Sequence, residues 1–200
     1  VSDAGREARE ERRDALGSEA VSRPPTTIER VFVLGIDPGL SRCGYGAVEQ
    51  DGPGRPPRAI AAGVVTTPSE LAVPLRLALL RGDLDEIVGE YRPDVVVVER
   101  VFFQTNARTA MSVGQASGVA LLTAIERGCS VAEYTSNEVK QAVTGYGSAT
   151  KEQVQAMVTR LLGLDVIPRP ADVADALGLA LCHLVSAPLR EAAARAAALQ

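Results

Sequence analysis

Four carboxylates stand out by where the sequence puts them. Asp37 follows the apolar run Val31-Phe32-Val33-Leu34-Gly35-Ile36, and Glu99 follows Val95-Val96-Val97-Val98. Each acid therefore arrives at the end of a stretch that reads as a strand buried on both faces. A charge beside a dry core is costly unless something pairs with it. Either acid alone is read equally well as a solvated carboxylate just past a strand end. Two of them at carboxyl ends of strands, where open sheets bind ligands, point to a site. Asp172 and Asp175, three residues apart, form a second pair beside the apolar stripe Val173, Ala176, Leu177, Ala180, Leu181 and Leu184. Acids in a first helical turn have an ordinary use, since they complement the helix dipole. Leu179 and Cys182 extend the apolar surface nearly all round this helix, however. It reads as a buried helix, and buried carboxylates need a partner.

That partner is not evident nearby in the chain. Arg100 is the only base next to one of these acids, and it should point to the opposite face of its strand from Glu99. With oxygen ligands and no His/Cys cluster, the four acids suit a hard ion such as Mg²⁺ or Mn²⁺ rather than zinc. Two such ions about 3.5 to 4 Å apart would clamp the attacking and leaving oxygens of a phosphoryl displacement, so phosphodiester hydrolysis is the natural chemistry. Of 21 basic residues only Lys140 and Lys151 are lysines, and they bracket the Gly145-Tyr-Gly-Ser-Ala-Thr loop. Solvated helix faces would explain them; so would contacts to a phosphate backbone. The loop is not a Walker motif, because Glu152 follows Lys151. Phe102 and Phe103 lie just past Glu99. They read as core or, if one is exposed beside the site, as a stacking platform for an unpaired base.

The elements that must position these groups are legible. Strands at 31–36, 44–49 and 59–66 form a meander, with the turn-rich Asp51-Gly-Pro-Gly54 between the second and third. Helical spacing runs from Leu71 to Tyr91 and stops at Pro93, and the strand ending at Glu99 follows. Ala107 to Arg127 reads as a helix, Ser130 to Tyr134 as a strand, and Ser136 to Val143, Thr150 to Leu162 and Ala171 to Ser186 as helices. Thr150 with Gln153 fits a capping box. This predicts an α/β fold, a mixed sheet with helices packed on it. Residues 1–29 alternate acids and arginines and cannot bury a core face, so they read as a disordered extension, 30–190 as one domain and 191–200 as an Ala-rich tail.

Composition narrows the class. The 200 residues are 46% hydrophobic and 23% charged, ordinary for a globular chain. No apolar run approaches the roughly 20 residues needed to cross a bilayer, so no membrane partner is expected. No signal peptide is read, and three cysteines without a CxxC pair suggest neither a disulfide framework nor a zinc site, so a cytoplasmic location is expected. A net charge of −4 does not announce a nucleic-acid partner, but carboxylates gathered to hold metal lower the total too. His183 reads as structural, near the end of the last helix.

Taken in order, several segments carry a resemblance. They are Gly-Ile-Asp37-Pro-Gly with Gly44-Tyr-Gly46; Val-Glu99-Arg-Val-Phe102; Gly114-Gln-Ala-Ser-Gly118; Val-Lys140-Gln-Ala-Val-Thr-Gly145-Tyr-Gly147-Ser-Ala-Thr-Lys151; and Asp172-Val-Ala-Asp175-Ala-Leu. Over residues 31–187 the chain resembles the RuvC-type Holliday junction resolvases of high-GC bacteria. The resemblance implies an RNase H-like fold, here a mixed five-stranded sheet flanked by helices. It also implies a homodimer that nicks a four-way DNA junction symmetrically in recombination and repair. It maps metal ligation, by Mg²⁺ or Mn²⁺ with two ions per site, onto Asp37, Glu99, Asp172 and Asp175. In some members the third of these is a histidine. It maps the junction-contacting aromatic onto Phe102 and DNA-contacting lysines onto Lys140 and Lys151, and it implies work alongside the RuvA–RuvB branch-migration complex. Two other classes compete. A nucleotide-binding domain of the actin and sugar-kinase type also begins Gly-Ile-Asp-x-Gly, but needs two such domains. A junction-binding module without catalysis has no need of four acids on desolvated positions.

Overall fold

The computed structural model describes residues 30–100 and 107–197. The expectations for residues 1–29, for Phe102 and Phe103 and for the last three residues of the tail fall outside them. β1 (Arg30–Asp37) pairs antiparallel with β2 (Arg42–Asp51), which pairs antiparallel with β3 (Arg58–Thr66). After α1 (Val73–Tyr91) the chain returns as β4 (Val95–Glu99), parallel to β1 on its other side. α2 (Ala107–Glu126) leads to β5 (Ser130–Tyr134), parallel to β4. The sheet order is β3-β2-β1-β4-β5, so β1 lies at its centre. α3 (Ser136–Thr144), α4 (Lys151–Leu161) and α5 (Ala171–Ala197) complete the described chain.

The sheet separates two cores by strict alternation. Leu34, Ile36, Val96 and Val98 face Leu80, Leu84 and Val88 of α1 and Ala116, Ala120 and Ala124 of α2. Val33 and Val97 face the other way, toward Val139 and Val143 of α3, Val154 and Val158 of α4, and Val173, Leu177 and Ala180 of α5. A strand covered on both faces has no polar side, which is why these runs are continuous rather than alternating. The parity matters for function: residues 33, 35 and 37 and residues 95, 97 and 99 share the face that α5 covers.

α5 is the helix most enclosed by the fold. Val173, Ala174, Ala176, Leu177, Leu179, Ala180, Leu181 and Cys182 are all buried. It packs on β1 and β2, with α3 and α4 against its flanks. Length and hydropathy would let it cross a bilayer, but half of its apolar window lies inside the protein, as in a core helix. The sheet admits it closely because β1 and β2 carry glycine beneath it. A Cβ on Gly35 would overlap the Ala176 carbonyl, and one on Gly44 the Asp172 carbonyl. Gly35→Ala is therefore expected to cost about 3 kcal/mol or more, since neither backbone has room to yield. Urea denaturation of the variant checks this.

The helix expected to end at Ser186 runs on to Ala197 through Pro188. The added turns are Ala-rich, with high helix propensity, and Arg190 fastens them. Its guanidinium lies 4.1 Å from the Tyr134 ring centroid and pairs with Glu138 at 2.6 Å. His183 is consequently mid-helix rather than near a C-terminus, which corrects the dipole reading. Its Nδ1 lies 3.1 Å from the Tyr134 hydroxyl, a structural bond to β5. Cys43, Cys129 and Cys182 are all buried free thiols.

Candidate active site

Register brings the first two acids together. Ile36 lies opposite Val98 in the parallel pair, so the next residues, Asp37 and Glu99, leave the sheet side by side on the α5 face. α5 enters above them with its N-terminus, bringing Asp172 and Asp175 in its first turns. Asp37, Glu99 and Asp175 line a cleft of about 360 Å³ with Ser136, Lys140 and Lys151, over an apolar floor of Val139, Val154 and Leu179. Asp172 stands at its side, its carboxylate held by Arg42 from the start of β2.

Both lysines reach the cleft because their helices are firmly started. Lys151 is the first residue of α4, whose cap is the box read from the sequence. Thr150 Oγ1 accepts from the Gln153 amide at 3.3 Å, and Gln153 Oε1 accepts from the Thr150 amide at 2.8 Å. Lys140 rides on α3, which has its own box: the Glu138 amide donates to Thr135 Oγ1 at 3.1 Å, and the Thr135 amide donates to Glu138 Oε2 at 2.8 Å. Thr150→Ala should lose about 1 kcal/mol of stability in thermal or urea denaturation, as the loss of such a cap does.

The electrostatics are those of an underpaired acid cluster. Asp37 is pushed up to about 7, first by burial, then by the charges of Glu99, Asp175 and Asp172, with Lys151 pulling the other way. Glu99 is raised too, by burial and then by Asp175. Lys151 is raised chiefly by its bond to Asp175, at 2.6 Å. The partner that was not evident nearby in the sequence is thus supplied twice by the fold. Lys151, expected to touch a phosphate, sits on Asp175, and Arg42, which sequence reading passed over, sits on Asp172. Arg42 was findable, for it follows the Asp37-Pro-Gly39 turn at the start of the strand paired with β1. Among the described residues, no three acid, histidine or cysteine side chains close into a ligating cluster.

The donor set nevertheless fits a divalent cation of the hard class. It is oxygen only and partly desolvated, and within it Asp37 and Glu99 are raised first by burial and then by neighbouring carboxylates, both of which a doubly charged ion would offset. Asp37, Glu99 and Asp175 open into the cleft, where such an ion would sit, and Asp172 lies beside it, paired with Arg42.

A mixed five-stranded sheet in the order 3-2-1-4-5, with acids at the ends of its two central parallel strands and on a helix crossing them, is an RNase H-like fold. A yeast mitochondrial Holliday junction resolvase, Ydc2, shares that fold at a TM-score of 0.61 and 15% identity, over 84% of this chain and 83% of its own. Residues 33–183 match the family model for the crossover junction endodeoxyribonuclease RuvC, and the chain belongs to this family. The RuvC of Salinispora arenicola is 56% identical over 165 residues, 82% of this chain and 94% of the relative. That of Streptomyces avermitilis is 53% identical over 167 residues, 84% and 94% of the two chains. The solved RuvC of Thermus thermophilus in complex with a Holliday junction substrate has a TM-score of 0.75 at 38% identity, over 80% of this chain and 96% of its own.

Proposed function

We propose that this chain is a metal-dependent endonuclease that resolves four-way DNA junctions by paired symmetric nicks. The observation that carries the reading is the cleft itself: half-buried carboxylates gathered at the ends of two central strands, with two lysines lining the same cleft. Family membership and the relative solved with a Holliday junction substrate support the substrate.

Asp37, Glu99, Asp175 and Asp172 would hold Mg²⁺ or Mn²⁺, in our reading two ions. When bound, these supply Lewis-acid stabilisation of the charge that builds on the phosphate oxygens during hydrolysis. The protein's own groups do the positioning. Asp37 and Glu99 are fixed by strand register, so the spacing of their carboxylates is set by the rigid centre of the sheet rather than by a loop. Lys140 and Lys151 offer ammonium groups to the phosphate backbone, and the Lys151 charge keeps Asp37 and Glu99 from rising further. Val139, Val154 and Leu179 close the floor against bulk water. Phe102 keeps its proposed role as the aromatic that contacts the opened junction.

Paired nicks call for two sites, and we propose a homodimer. Met111, Leu122 and Ile125 of α2 are 67%, 54% and 58% exposed, while Ala116 and Ala120 of the same helix are buried against the sheet. Such a helix has one face spent on its own core and another left for a second copy. The reading also places the enzyme in the cytoplasm beside a RuvA–RuvB branch-migration complex. Gel-shift titration in EDTA tests the substrate. A four-way junction should bind at least ten-fold tighter than a linear duplex of the same sequence, and equal binding would count against the reading.

A further inference from the structure

Asp172 differs from the other acids in what holds it. Among the described residues, the two cations in ion-pair contact with the four carboxylates are Lys151, on Asp175, and Arg42, on Asp172. Lys151 reaches in along the cleft wall. Arg42 arrives from outside it, off the start of β2, and both side chains are about half exposed.

The backbone imposes this meeting. Gly44 stands opposite Asp37 in the β1–β2 register, and it lets the first turn of α5 sit directly on β2. Arg42, two residues earlier, lies on the same face of the strand and so comes out beneath Asp172. A guanidinium cannot shed its charge at any relevant pH. A divalent cation that takes Asp172 must therefore either bind beside a fixed positive charge or displace it. Arginine is well suited to leave: a long, half-exposed side chain ending in a planar fork that matches a phosphate as well as it matches a carboxylate.

We propose that Arg42 is an exchangeable counter-ion, which holds Asp172 while no divalent cation is bound and moves to a DNA phosphate when a cation takes its place. The DNA half of this rests on the junction-endonuclease reading above. The consequence is thermodynamic: cation and junction each strengthen the binding of the other, by the same factor, through one side chain. Arg42 is then a positioning residue that links the two ligands without touching the reacting atoms.

Arg42→Gln, which removes the charge and keeps a polar side chain, tests it in two arms. In calorimetric titrations of Mn²⁺ into protein without DNA, the variant should bind about 3- to 10-fold more tightly than the parent. In the second arm, junction affinity is measured by anisotropy in EDTA and in Ca²⁺, with intact strands verified on a denaturing gel. The ratio of the two affinities should fall by about 3- to 10-fold in Arg42→Gln and be kept in Arg42→Lys. A mere brace between β2 and α5 would lower the melting temperature, leave that ratio unchanged and weaken Mn²⁺ binding, and this result would overturn the proposal. Should Gln compromise folding, Asp172→Asn serves instead: freeing Arg42, it should tighten junction binding in EDTA, and an equal gain in the Arg42→Gln/Asp172→Asn double variant would overturn the proposal. If the parent fails to prefer the junction over a duplex, the functional reading fails, while the Mn²⁺ arm still decides the counter-ion.

Discussion

Asp37→Asn is expected to lower junction cleavage by about 10³-fold or more, because it removes the carboxylate at the centre of the site, where charge stabilisation of the reacting phosphate is organised. Junction binding should survive. Asp37 lies at the end of the central strand, held by register with β2 and β4, and Asn fills the same space. The two lysines proposed to meet the phosphate backbone are untouched, and one negative charge fewer in the cleft favours a polyanion. Single-turnover cleavage and gel-shift affinity, measured on one preparation, separate the two effects. Parallel loss of both would mean that Asp37 supports the fold rather than the chemistry.

The second large effect is a stability that falls as pH rises in the absence of metal. The folded protein keeps a proton on Asp37 up to about 7, whereas the unfolded chain releases it near the ordinary aspartate value around 4. Between those limits the folded state binds more protons than the unfolded one, so unfolding free energy declines with increasing pH and levels off above the window. The full shift on Asp37 corresponds to about 4 kcal/mol, of which about 3 kcal/mol falls between pH 5 and pH 8, and the raised Glu99 acts in the same direction. Urea denaturation in EDTA from pH 5 to pH 8 measures it. Asp37→Asn should flatten most of the slope and be the more stable protein at pH 8, and millimolar Mg²⁺ should restore stability to the parent there by binding only the folded state. Stability that climbs through the same window would contradict the burial of an underpaired acid cluster.

The strands and helices were readable because both sides of this sheet are covered. Val31 to Ile36 and Val95 to Val98 could hardly be surface strands, and each ends at an acid, so element and site residue were found by the same signal. Thr150-Lys-Glu-Gln153 announced the start of α4, and Thr135-Ser-Asn-Glu138 carried the same motif for α3. Two features escaped. The pairing of Arg42 with Asp172 joins residues 130 positions apart, and only the close seating of α5 on Gly44 brings them together. The run of α5 past Ser186 brings Arg190 onto Tyr134 and Glu138, again remote in sequence, and leaves His183 in mid-helix. Local pattern reveals which residues are buried and where a chain turns; which buried charge finds which counter-ion is decided by packing.

The most direct test of the central claim is a cleavage assay. A synthetic four-way junction and a matched linear duplex are incubated with purified protein in Mg²⁺ and in EDTA, each strand labelled in turn, and resolved on a denaturing gel. Nicks at symmetric positions in two opposite strands of the junction, absent from the duplex and abolished by EDTA, are the predicted result. A junction that is bound yet left uncut in both Mg²⁺ and Mn²⁺, or a duplex cut equally well, would contradict it.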